Sequence, residues 1–207
     1  MSKSPLSPSN TLLSGPWNAA WWRSALAEVR SFRTLILAAL LLALRIVISS
    51  FYIPVGENLK IFFSFFVSGL GGVIFGPFVA LLYGFASDIL GYILHPDGGF
   101  FPGYVLSAMA GAFFYALFLY RSRITVLRIF LCKACINLLV NVGLGSLWSA
   151  MIYGKGYYYY LVKSVIKNLT LLPVETFLLV IFLGVMLPVM SKSGIVPAQP
   201  QKRIPLW

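Results

Sequence analysis

Six long apolar runs, at about 33–51, 59–75, 77–94, 103–120, 125–149 and 160–190, constrain this chain more than any other feature. A helix needs roughly 20 predominantly apolar residues to cross the hydrocarbon core, and fewer where neighbouring protein shields it. The runs therefore predict an all-α integral membrane protein of six transmembrane helices. Composition agrees: 59% of the 207 residues are hydrophobic and only 10% are charged, where a soluble domain carries about a quarter. Too little polar side chain is present to cover a water-facing surface, so much of the surface faces lipid.

The second and third runs are so close that Gly69, Gly71, Gly72, Gly76 and Pro77 must supply their connection, with proline starting the next helix. Six spans bring both termini to one side, and the charges test that independently. Lys3, Arg23, Arg30 and Arg33 precede or open the first span, Arg121, Arg123 and Arg128 follow the fourth, and Lys192, Lys202 and Arg203 follow the sixth. These are ten of the sixteen basic residues, all on one face, which the positive-inside rule makes cytoplasmic. The same distribution explains the net charge of +11 without nucleic acid, because the basic residues flank apolar runs instead of forming one aromatic-interleaved stripe.

The opposite loops, 53–58, 95–103 and 153–160, hold Gly, two of the five acidic residues and the only histidine. Such loops carry recognition more often than packing, although rigid turns and an interfacial belt of Tyr157 to Tyr160 account for them as well. Residues 1–30 form a separate element, with no cleavable signal peptide evident. Pro16 is expected to open a short helix bearing Trp17, Trp21 and Trp22 that lies on the cytoplasmic leaflet. The membrane domain is taken as 31–191, and 192–207 as a flexible C-terminal tail.

Ionisable groups inside spans are costly and are functional candidates by default. Arg45 lies twelve residues after Arg33, about 18 Å up its helix, too deep to reach the outer surface without strain. It suits an anion or an electron-rich ring. Asp88 lies late in the third span. Glu175 follows Pro173, which removes a backbone N–H and is expected to kink the helix; either carboxylate can pair with Arg45 or meet a ligand's donor edge. Lys163 and Lys167, four apart, share a helix face, either reaching to the interface or holding a substrate with two carboxylates; Asn168 follows. Asn137 and Asn141, also four apart, are either packing glue or readers of a heterocycle. Lys133 is expected to reach back to the cytoplasmic interface and is left out of the site. Ala39 and Ala43 repeat every four residues and form a flat strip where another helix can approach.

No G-x-x-x-x-G-K-[ST] loop is present, so ATP hydrolysis by that route is excluded, and no metal-ligand cluster is evident. Cys132 and Cys135 sit in an apolar run without further ligands and read as idle thiols. Two other classes stay in view. One is an intramembrane enzyme acting on a lipid or isoprenoid through Asp88, Glu175 and His95. The other is a structural scaffold.

The segments Pro54-Val55-Gly56-Glu57-Asn58-Leu59, Phe75-Gly76-Pro77, Asp88-Ile89-Leu90-Gly91 and Pro96 to Tyr104 resemble the folate-specific S components of energy-coupling factor (ECF) vitamin transporters, over roughly residues 33–190. The resemblance implies six helices with cytoplasmic termini and a vitamin bound from outside; riboflavin or thiamine are the alternatives to folate. It also implies association with a transmembrane T component, through Ala39 and Ala43, and with two ATPases that use the ATP. Transport would then proceed by toppling of the whole subunit, with no cofactor and no catalysis in this chain. The substrate-binding set is Arg45, Lys60, Asp88, His95, Phe101, Asn137, Asn141, Trp148, Lys163, Lys167, Asn168 and Glu175. The Trp-rich N-terminal segment departs from the compact start expected of that family.

Overall fold

The computed structural model describes residues 12–13, 15–56, 59–94, 99–154, 156–200 and 204–206, and between 52 and 62 the backbone alone. A short helix, α1 (Ala19–Val29), precedes α2 (Phe32–Ser49). A hairpin of β1 (Tyr52–Gly56) and β2 (Leu59–Phe62) leads into α3 (Ser64–Ile74). Then come α4 (Pro77–Leu94), α5 (Pro102–Leu119) and α6 (Val126–Cys135). α6 runs through a π-helical segment, Ile136–Leu144, into α7 (Gly145–Tyr153), and α8 (Tyr157–Lys192) ends the membrane part.

Local chemistry sets these limits. Asn18, Ser31 and Thr125 occupy the caps of α1, α2 and α6, their side-chain oxygens accepting from Ala20, Thr34 and Arg128 N–H. Pro77 and Pro102 open α4 and α5, where a missing N–H costs nothing. Gly154, at φ 70°, closes α7 in the left-handed conformation.

Five of the expected spans have helices long and apolar enough to cross a bilayer. The second differs. Residues 59–62, expected to be helical, pair as β2 antiparallel to β1, in register Tyr52 with Phe62 and Ile53 with Ile61. The helix that follows has eleven residues, about 16 Å of rise, so α3 alone does not reach across. The β-branched and aromatic residues Tyr52, Ile53, Ile61 and Phe62 suit strands as well as an apolar helix. α8 continues unbroken through Pro173 and Pro188.

The main core lies where α3, α5, α6 and α8 meet, around Leu70, Tyr115, Leu119, Ile129, Leu179 and Leu183. A second cluster joins α4 to α5 and α2. α4 packs most extensively on α5, and glycine makes that approach possible: a Cβ at Gly84 would lie 2.8 Å from the Ala108 carbonyl oxygen. α2 is the exception. Thr34 is its only buried residue, and Leu35, Ile36, Leu40, Leu44 and Val47 are exposed. An apolar face of that size is covered by lipid or by another protein.

One end of the molecule gathers α1, the start of α2 and the residues that follow α8. Trp21 Nε1 donates to the Tyr120 carbonyl, and Arg33 donates to Ser193 O. The Glu28 carboxylate accepts from the Gly76 N–H at 3.1 Å, from Tyr120 Oη at 2.6 Å and from Arg121 at 3.2 Å. Glu28 thus supplies from another helix the cap that the α4 start lacks. Burial pushes the Glu28 carboxyl above its usual range, against the opposing pull of those three donors. α1 therefore does not lie on the leaflet by its tryptophans: Trp21 is fully buried against Tyr120, Trp22 packs on Phe78, and only Trp17 is exposed.

The segment after Lys192, expected to be a flexible tail, is also seated. Val196 is 1% exposed, Gln199 bridges Ile124 N–H and Ser122 O, and the Pro205 and Leu206 carbonyls accept from the Val126 and Leu127 N–H groups. Those donors open α6 and have no partner within the helix, which is why the tail binds there.

Candidate functional site

Polar residues of α2 to α8 converge on a cavity of about 790 Å³, within the size range of small-molecule sites. Lys163 and Glu175 both line it and are twelve residues apart, about 18 Å along α8.

Around Glu175 the lining is a closed hydrogen-bond network. Lys133 Nζ lies 2.8 Å from Glu175 Oε2 and 3.4 Å from the Tyr115 hydroxyl, with the Phe65 ring 5.1 Å away. Asn137 donates to Glu175 Oε2 and to Asn168 O, both at 3.4 Å. Asn141 donates to Asn137 Oδ1 at 3.0 Å and to Asn168 Oδ1 at 3.3 Å, and Asn168 donates to Ser164. Buried polar groups need this degree of pairing. The buried Ser146 hydroxyl on the same lining has no protein partner.

The α2 wall presents Arg45, whose guanidinium donates to Ser68 Oγ at 2.7 Å and lies 6.0 Å from the Tyr83 ring. Asp88 faces the same space. Toward the start of α8 the lining is Tyr160, Lys163, Ser164 and Lys167. Neither lysine has a carboxylate within 4 Å among the described residues. Lys133 and Glu175 neutralise each other, so the lining carries a positive surplus at Lys163 and Lys167 and hydrogen-bonding groups of both kinds around Glu175. That is equipment for holding an anionic solute with a polar flat edge.

Seven of the expected residues line the cavity: Arg45, Asp88, Asn141, Lys163, Lys167, Asn168 and Glu175. Asn137 is 2% exposed and braces the wall from behind. Phe101 and Trp148 stack edge-to-face at 5.6 Å beside the cavity, with Trp148 Nε1 donating to the lining Ser107. His95, and the side chain of Lys60, lie outside the described residues. Ala39 and Ala43 are exposed on α2, away from the cavity.

Two expectations are corrected. Glu175 pairs with Lys133, not Arg45. Lys133 itself is 3% exposed and does not reach the interface. Its signal was present, since Lys133, Asn137 and Asn141 recur every four residues on one face. In a regular α-helix eight residues would drift about 80° off that face. The wider turns of the π-helical segment take back part of that drift, and such segments are frequent at functional sites.

The profile of the family described as "ECF transporter, substrate-specific component" matches residues 33–191. The chain belongs to that family. Among curated relatives, the "Folate transporter FolT" of Clostridium novyi (strain NT) is 31% identical over 147 residues, covering 71% of this chain and 86% of that protein. The "Folate transporter FolT" of Leuconostoc mesenteroides is 29% identical over 150 residues, covering 69% and 80%. A solved structure titled "Crystal structure of FolT bound with folic acid" superposes with a TM-score of 0.63 at 31% identity, covering 70% of this chain and 88% of that one. This substrate-specific component is thus a multi-pass protein of the cell membrane, and α1 precedes the part that the family defines.

Proposed function

We propose that this chain is a folate-binding S component that captures folate from outside the cell. The observation that carries the reading is the polarity of the cavity. Folate is elongated, with two carboxylates at one end and a flat pterin with a donor–acceptor edge at the other. Lys163 and Lys167, with no carboxylate within 4 Å among the described residues, lie about 18 and 12 Å from Glu175 along the same helix. The carboxylates are held at Lys163 and Lys167, and the pterin edge is read by Asn141, Asn168 and Glu175, with Arg45 and Asp88 flanking the ring. The relatives named for folate transport support the choice of vitamin.

The basic end faces the cytoplasm and the cavity opens outward. Delivery proceeds by docking of the exposed Ala39/Ala43 face of α2 on a T component, with toppling driven by two partner ATPases. The poor burial of α2 supports that assignment.

Titration of the purified protein in nanodiscs tests the ligand. Sub-micromolar folate binding without riboflavin or thiamine binding is expected, and absence of folate binding would reject the reading. Ala43→Trp is expected to abolish uptake with the partner subunits while leaving folate binding intact.

A further inference from the structure

A second cavity, of about 260 Å³, lies at the C-terminal end of α8, beyond the stretch from Tyr160 to Glu175 that lines the first. One wall is a stripe of α8: Gly184, Leu187, Pro188, Ser191 and Lys192 recur at the spacing of a single helix face. The other wall is Ile124 with the seated tail, notably Gln199, Ile204 and Pro205. Arg123 and Lys192 stand at its rim, both exposed and neither with a carboxylate within 4 Å among the described residues. The rest of the lining is mostly apolar, with Ser191 and Gln199 its only other polar side chains among the described residues. A Cβ placed on Gly184 would meet only the Ile204 side chain, at 4.0 Å, so the space there is open.

We propose that this cavity holds an anionic glycerophospholipid of the bilayer, its phosphodiester on Arg123 and Lys192 and its proximal acyl chain along Pro188 and Gly184. Position, charge and shape each support this occupant. The cavity sits where α6 begins and α8 ends, the level at which headgroups meet helix termini. Two unpaired cations beside an apolar slot complement a molecule that is anionic at one end and aliphatic at the other. Pro188 also shares its helix face with Ile181 and Val185, both exposed to lipid, so the slot continues into the surface that the acyl chains cover. A soluble phosphate would use the cations alone and gain nothing from the slot.

The test is native mass spectrometry of the full chain released from detergent carrying dioleoyl-phosphatidylglycerol or dioleoyl-phosphatidylcholine. Retention of phosphatidylglycerol over phosphatidylcholine is expected, with each of Arg123→Gln and Lys192→Gln weakening it about fivefold. Gly184→Leu fills the slot and is expected to displace the lipid while both cations remain. Folate titration of every variant checks that the far cavity is intact, and Arg123→Lys is expected to restore retention. Equal retention of the two lipids, unchanged retention in Gly184→Leu, or displacement of the lipid by millimolar inorganic phosphate would overturn the proposal.

Discussion

Replacing Lys133 with methionine is the most informative single change in the cavity. Its ammonium lies 2.8 Å from Glu175, and the two side chains are 4% and 14% exposed. At an effective dielectric near 20, attraction at that separation is about 6 kcal/mol. The cost of desolvating both ions offsets most of this, so the pair adds little net stability over an apolar pair. Removing one partner is another matter, since it leaves the other charge buried, at a cost of about 3–5 kcal/mol. Methionine keeps the chain volume beside Phe65. Lys133→Met is therefore expected to lower the thermal unfolding midpoint in detergent sharply. Lys133→Met/Glu175→Leu is expected to recover most of the loss, a coupling of about 3 kcal/mol or more. The double variant is nonetheless expected to bind folate poorly, because the acceptor at the cavity base is gone. If Lys133→Met unfolds at the wild-type temperature, or the double variant is no more stable than the single one, the buried-pair reasoning is wrong.

Other outcomes follow from the same geometry. Lys167→Ala removes a charge-assisted contact and is expected to weaken folate about tenfold or more by isothermal titration, with little change in unfolding temperature. Gly72→Ala places a Cβ 2.7 Å from the Tyr115 backbone carbon and is expected to cost about 1–3 kcal/mol, whereas Gly91→Ala meets nothing within 4 Å and serves as the neutral control in the same unfolding assay. Glu28 gives a pH dependence. Its pKa is raised in the folded state, so its contribution to holding α1 is fully present below the ordinary carboxylate range and is lost as pH rises through the raised value. Protease protection of residues 19–30 is expected to be greater at pH 5 than at pH 8, and Glu28→Gln is expected to flatten that difference.

Much of this was readable from residue order. Apolar runs located five helices, because a bilayer leaves few alternatives to a hydrogen-bonded helix of sufficient length. Intramembrane charge located Arg45, Asp88, Lys167 and Glu175, since such groups are seldom tolerated without a purpose. Three features were not readable. The hairpin was hidden because Ile, Phe and Tyr serve strand and membrane helix alike. The partner of Glu175 was hidden because Arg45 and Lys133 are equally cationic, and only the packing of α6 against α8 selects between them. The seat of α1 was hidden because Trp21 donates across 99 residues to Tyr120, a contact that no local pattern encodes.

The tail that completes the first turn of α6 sets an order on biogenesis. Val126 and Leu127 obtain their acceptors from Pro205 and Leu206, about eighty residues further along the chain. At roughly 5–20 residues per second, translation leaves that helix start open for about 4–16 seconds. During that interval α6 enters the bilayer with its leading donors satisfied by water or by the insertion machinery. Seating of the tail is therefore a late step, and the basic end of the protein takes its final form only after all the spans have been delivered.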